Sequence, residues 1–186
     1  MSDPAFRKMT EEEYFRLEES SPLRHEYVDG FVYAQAGATN NHNLITGNIY
    51  VGLFAAARQA GCRVYQSDMR LRVTSPASQR ITMYFPDVMV TCEALAGEAL
   101  NALAPCLLVE VLSKSTERED KNAKWLDYQT LPSLQAYLLV GGRSRAAAMY
   151  RRTPGGWVYE VLEDRVPLPC VDVSLSLDDI YAGVSL

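Results

Sequence analysis

Leu107-Leu108-Val109-Glu110-Val111-Leu112 is an apolar run with one acid inside it. It has no period-two alternation, which is the pattern of an interior strand covered on both faces, in a sheet flanked by helices. An ionised carboxylate in such a place costs several kcal/mol unless it is paired or bound to a metal (roughly, from transfer and pair energetics). Two readings of Glu110 stand. Either it points into the interior and meets a divalent cation, or it lies at a strand end, solvated or paired with an arginine.

Working outward, a second unusual acid precedes this strand in Tyr84-Phe85-Pro86-Asp87-Val88. Pro86 has no N–H and pushes Phe85 into an extended conformation, so the strand expected over 81–91 must be irregular just before Asp87. Such irregularities re-aim side chains beside sites, and they also end edge strands in turns. After Glu110, Thr116 with Glu119 reads as a capping box that opens a helix running to about Thr130, before Pro132. On it Asp120, Lys124 and Tyr128 follow at four-residue spacing and share a face, either solvated or turned toward the two acids. Two acids on neighbouring strands with a nearby ammonium suit phosphodiester hydrolysis. The acids hold Mg²⁺ or Mn²⁺, and the lysine orients water and stabilises developing charge.

The flanking segments are Thr10 with Glu13 as a capping box for a helix to about Glu19, and a hairpin from Arg24 to Gln35 around Asp29-Gly30. A long helix follows Asn40-Asn41-His42 to about Ala60, with an apolar stripe from Leu44 to Ala56 and a stop at Gly61. Strands are expected over 62–66 and 69–73, a loop with a short alanine-rich helix over 92–105, and a strand meander from Ser133 to Leu162. The meander either completes the sheet or forms a dimer surface. Glu26 is placed to point at the site or to make a rim salt bridge. His42 is placed to contact phosphate, to orient an acid, or to serve as a structural residue.

The 186 residues suit one domain, 1–186, and 48% hydrophobic with 10% aromatic content argues against disorder. No stretch reaches the roughly 18 apolar residues of a membrane span, and the start lacks an apolar signal core, so a cytoplasmic location is expected. Cys62, Cys92, Cys106 and Cys170 show no C-x-x-C pair and three sit among apolar neighbours, so reduced, buried thiols are expected rather than disulfides or a zinc site. A net charge of −5 opposes nonspecific coating of duplex DNA. Arg70 and Arg72 on one strand face, with Lys114, Arg118, Lys121 and Lys124, are expected to make a local basic cleft. Phosphate-cradling glycine loops, dinucleotide fingerprints and nucleophile elbows are absent from the sequence.

In order along the chain, 9–14 (Met9 to Tyr14), 24–30 (Arg24 to Gly30), 36–38 with His42-Asn43, 65–70, 84–88, 109–113 and 131–134 resemble the Uma-two family of restriction-endonuclease-like proteins, within the PD-(D/E)XK nuclease superfamily. The resemblance implies a mixed α/β restriction-endonuclease-like core with a central mixed β-sheet flanked by helices. It further implies a Mg²⁺-dependent (or Mn²⁺-dependent) endonuclease acting on DNA, and a homodimer. Asp87 and Glu110 then match the motif's metal-binding acids, with the carbonyl of Val111 as a further ligand. The motif's lysine position holds Leu112; the resemblance moves that lysine onto the next helix, as Lys124 first and Lys121 second. Lys114 becomes a phosphate contact and Glu26 an additional acid. The displaced lysine and acidic balance leave a second class open, a noncatalytic nuclease-fold module that binds nucleic acid or protein.

Overall fold

The computed structural model describes residues 8–35, 37–113 and 120–186, with the side chains of residues 120 and 121 outside the description. The central sheet has six strands in the order β11-β10-β9-β8-β6-β3. Here β3 is Arg63–Gln66, β6 Val88–Thr91, β8 Pro105–Leu112, β9 Ala136–Gly141, β10 Ala147–Thr153 and β11 Gly156–Leu162. β8 lies inside, antiparallel to β6 and parallel to β9, and Pro105 to Val111 are all buried. The unalternating run therefore forms an interior strand, as its composition demands.

Successive β8 side chains serve different cores. Leu107, Val109 and Val111 join Ile45, Ile49, Leu53 and Ala57 of α2 (Asn40–Gln59). Leu108 and Leu112, on the Glu110 side, join a second cluster with Leu71, Tyr84, Tyr128 and Tyr137. Each fully buried Leu or Val contributes about 1.5–3 kcal/mol. That second core is shared with a five-stranded sheet, β2-β1-β5-β4-β7. Its strands are β1 His25–Val28, β2 Phe31–Ala34, β4 Arg70–Thr74, β5 Ile81–Tyr84 and β7 Asn101–Ala102. Helix α1 (Glu11–Ser20) packs Tyr14 against Tyr27 and Met83 of this sheet. Strands β12 (Arg165–Leu168) and β13 (Val173–Ser176) pair with each other, and α4 (Leu177–Ile180) follows them.

Local signals act as expected at several points. Thr10 accepts from the Glu13 N–H while Glu13 accepts from the Thr10 N–H, capping α1. Asp29 (φ 50°) and Gly30 (φ 93°) form the tight turn between β1 and β2, the conformation an Asp-Gly pair favours.

Four expectations are corrected. The strand over 81–91 is two strands in two different sheets, β5 and β6, separated at 85–87, because Pro86 cannot donate to a ladder. Residues 92–105 contain no helix; the segment is held by Glu93, whose carboxylate accepts the Leu103 and Ala104 N–H groups. Arg70 and Arg72 do not build a basic cleft. Arg70 is buried against Phe15, 4.8 Å from its ring centroid, and Arg72 pairs with Glu11 of α1. The cysteines are neither separate nor reduced: Cys62 is bonded to Cys92 and Cys106 to Cys170. Their distance in sequence concealed a pairing created by strand order, since the register Arg63↔Thr91 sets Cys62 opposite Cys92.

Candidate active site

Four separate elements deliver the site. Asp87 sits in the break between β5 and β6, where the chain leaves one sheet for the other. Its Oδ2 accepts the Val111 N–H at 2.7 Å and its Oδ1 lies 2.9 Å from His42 Nε2. The irregularity before Asp87 thus turns a carboxylate back across β8, and the first turn of α2 supplies the ring that fixes it. Thr39, the cap of α2, accepts from the His42 N–H and anchors that turn.

Glu110 is 4% exposed in the interior of β8. Its Oε1 accepts from Lys124 Nζ at 3.2 Å and from the Tyr128 hydroxyl at 3.1 Å. Lys124 also lies 3.0 Å from Glu26 Oε1 of β1, and its ammonium stands 5.6 Å from the Tyr84 ring centroid. Glu26, Glu110 and Lys124 are all buried. Glu110 lies in the interior of the sheet, and the side chain paired with it there is Lys124, not an arginine. Glu26 likewise makes an interior ion pair and not a rim bridge.

The lysine reaches this position from an unusual helix. Asp120–Lys124 is π-helical and runs directly into α3, Trp125–Tyr128. π-Turns are rare and concentrate at functional positions, since the wider winding displaces side chains from α-helical phase. The proposed Thr116 cap and the phosphate contact Lys114 lie outside the described residues, as does the side chain of Lys121.

Three groups escaped the sequence reading. Asp127 of α3 is buried and accepts from the Tyr84 hydroxyl at 2.6 Å and from Arg80. Burial, and then the charge of Asp127, push the Tyr84 phenol well above its usual range. Tyr128 is driven the same way by burial and then by Glu110, so both phenols remain protonated donors. Asp127 follows Lys124 by three residues on one helix, a spacing that could have drawn attention to it. Arg143, exposed beside Gly142, is the third. The Gly142 N–H donates to the Leu112 carbonyl at 3.1 Å, and a Cβ on Gly142 would meet that oxygen at 2.6 Å, so the turn must be bare to close on β8.

Glu26, His42, Asp87, Glu110, Val111, Lys124 and Arg143 all line one cleft of about 600 Å³. The structure therefore brings together six of the eight residues singled out beforehand, and adds Arg143. Glu26, Asp87 and Glu110 offer oxygen donors, the set preferred by hard divalent cations. Both Asp87 oxygens hold one hydrogen bond each and keep further lone-pair sites.

The family model described as "Uma2: Putative restriction endonuclease" matches residues 11–178. The chain belongs to the Uma2 family. Two proteins of Synechocystis sp., both described as uncharacterized, are 36% identical to it: one over 186 residues, covering 97% of this chain and 95% of the relative, the other over 135 residues, covering 71% and 74%. The fold is similar to the crystal structure of "a putative nuclease belonging to DUF820" from Anabaena variabilis, with a TM-score of 0.73 at 18% identity over 92% of this chain and 96% of that one. The two chains thus share one architecture, mixed sheets flanked by helices. No helix among the described residues is long and apolar enough to cross a membrane.

Proposed function

We propose that this Uma2 chain is a divalent-metal-dependent endonuclease that hydrolyses DNA phosphodiester bonds with an activated water. The observation that carries the reading is the convergence of Glu26, Asp87, Glu110 and Lys124 in one cleft from four separate elements. Asp87, Glu110 and the Val111 carbonyl are assigned as holders of Mg²⁺ or Mn²⁺, with Glu26 beside them. Bound there, the ion supplies a water of lowered pKa and positive charge facing the phosphoryl oxygens.

The chain's own groups do the rest. His42 holds Asp87 in one rotamer, donating when Nε2 carries the proton. Val111 N–H fixes the other carboxylate oxygen. Tyr128 and Lys124 orient Glu110, and Lys124, already among carboxylates, directs the attacking water and balances charge that builds on phosphorus. Arg143 at the cleft wall, with Lys114 and Lys121, is assigned to the phosphate backbone. A homodimer places two such sites on the two strands of a duplex.

Supercoiled plasmid incubated with the protein and Mg²⁺ or Mn²⁺ tests this. Nicking is expected from the native chain, with losses of at least a hundredfold in Asp87→Ala, Glu110→Ala and Lys124→Ala. Nicking that survives all three substitutions would mean that the activity comes from elsewhere.

One observation favours a second reading. Lys124 stands between Glu26 and Glu110, so an internal cation already pairs with two of the acids. A noncatalytic module built on the nuclease fold would look this way. Calorimetry separates the two: Mg²⁺ or Mn²⁺ binding that is lost in Asp87→Ala supports the enzyme. Binding of DNA or protein without any divalent-ion heat supports the module.

A further inference from the structure

All four cysteines of the chain meet at the end of the central sheet away from Asp87 and Glu110. Cys62 precedes β3 and Cys92 follows β6, directly opposite each other in the β3–β6 ladder. Cys106 lies in β8 where the pairing with β6 shifts between Val90↔Leu107 and Thr91↔Pro105, so it has no opposite residue. Cys170 comes from a turn of 3₁₀ helix, Pro169–Val171. Cys92 Sγ and Cys106 Sγ are 4.0 Å apart, and the sulfurs of Cys92, Cys106 and Cys170 all lie within 4.8 Å of one another. Cys62 stands outside that set of three and is tied to it by its bond to Cys92.

We propose that these cysteines form a second metal site, which takes one Zn²⁺ as a tetrathiolate when the two disulfides are reduced. With Zn–S bonds of about 2.3 Å, the edge of a tetrahedral S₄ site is about 3.8 Å. The Cys92–Cys106 contact already has that length, and opening the two S–S bonds lets the bonded sulfurs relax toward it. Cys106 lies within β8, and Cys62 and Cys92 directly adjoin the paired ends of β3 and β6, so little ordering remains to be done on binding. The donors are soft, which selects zinc over the hard ions suited to the carboxylate cleft. Cys62 and Cys106 are buried in the first core, whereas Cys92 is exposed and gives both metal and thiol reagents a way in. Cys106 and Glu110 are four residue steps apart along β8, about 13 Å of strand, so this site shares no ligand with the cleft.

The disulfide and zinc states exclude each other. Two molecules of a dithiol reductant together deliver four electrons and four protons to the two disulfides and are themselves oxidised to two disulfides. Zn²⁺ then displaces four protons from the four thiols. In the reverse direction, the zinc tetrathiolate, two molecules of a small disulfide and four protons give two protein disulfides, four small thiols and free Zn²⁺.

The full-length chain, reduced under nitrogen with a phosphine and desalted, should titrate four thiols with a disulfide reagent while its far-ultraviolet circular dichroism is unchanged. Co²⁺ added to it should raise an intense near-ultraviolet sulfur-to-cobalt charge-transfer band that saturates at one equivalent and is abolished by Zn²⁺. Oxygen ligands cannot give that band. Oxidised glutathione should then release the Zn²⁺ to a chromogenic chelator as the four thiols disappear. Cys170→Ser, in the turn rather than a strand, should weaken Co²⁺ binding at least tenfold. Four free thiols in a folded chain without the band would overturn the site. So would disulfides that can be reduced only by unfolding the chain, since these would be staples alone.

Discussion

Lys124 is the side chain on which the interior of the cleft turns. Its ammonium lies about 3 Å from two buried carboxylates, 3.0 Å from Glu26 and 3.2 Å from Glu110. Lys124→Met takes that charge away and should destabilise the chain by about 3–5 kcal/mol, because breaking a buried ion pair by removing one partner is the expensive case. Urea unfolding measures this, and Glu26→Gln added to Lys124→Met should recover part of the loss. A Lys124→Met midpoint equal to the native one would show that the pair energies are wrong. The phenols respond to pH in the opposite sense to carboxylates. Burial pushes Tyr14 up to about 12 from 10.0, and raises Tyr84 and Tyr128 as well. The native state therefore holds these protons after the unfolded state has lost them. Their contribution is complete below pH 10 and drains away above it, by up to about 1.4 kcal/mol per pH unit for each phenol. The urea midpoint should be steady from pH 8 to 9 and fall from about pH 10 upward, less steeply in Tyr128→Phe.

Elements differ in how far they could be foreseen. The cap of α1, the Asp29-Gly30 turn and the interior position of β8 were legible because each depends on neighbours in sequence: a hydroxyl three residues from an N–H, a backbone needing positive φ, a run apolar on both faces. What was not legible depends on partners far along the chain. Pro86 announced an irregularity but not a change of sheet. Arg70 and Arg72 looked available until α1 folded over them, and the cysteines looked isolated until strand order gathered them. Among the candidate residues that share the cleft, Asp87 and Glu110 stood out as unusual acids, whereas Asp127, Tyr84 and Arg143 are ordinary residues made noticeable by packing. Two substitutions test elements directly. Thr10→Ala removes the hydroxyl of the α1 cap and should cost about 1 kcal/mol, leaving the cleft undisturbed. Gly142→Ala forces a Cβ against the Leu112 carbonyl and should cost more, with a shift of Arg143 visible as changed amide resonances along β8.

At the scale of the whole molecule, acidic charge and the proposed nucleic-acid substrate pull against each other. A chain of net charge −5 gains little from general attraction to DNA. Any affinity must come from a few cations at the cleft, Arg143 at its wall among them. The logarithm of affinity for duplex DNA should therefore fall with the logarithm of salt at a shallow slope, and Arg143→Ala should reduce that slope by about 0.9, the value of one phosphate contact. A steep slope that Arg143→Ala leaves untouched would move the nucleic-acid surface away from the cleft.

The alternation of β8 has one more implication. Residue 112 projects from the same side of the strand as Glu110, one pleat onward, into the cluster that receives Tyr128 and the side of the sheet where Lys124 arrives. An amine borne by either backbone, strand or following helix, can thus reach one carboxylate. Exchanging the two, Leu112→Lys with Lys124→Leu, trades addresses without vacating the destination. A contact specified by a point in space can outlive the spacing that spells it, and an ion pair searched for as text can be missed in a sequence whose interior holds it.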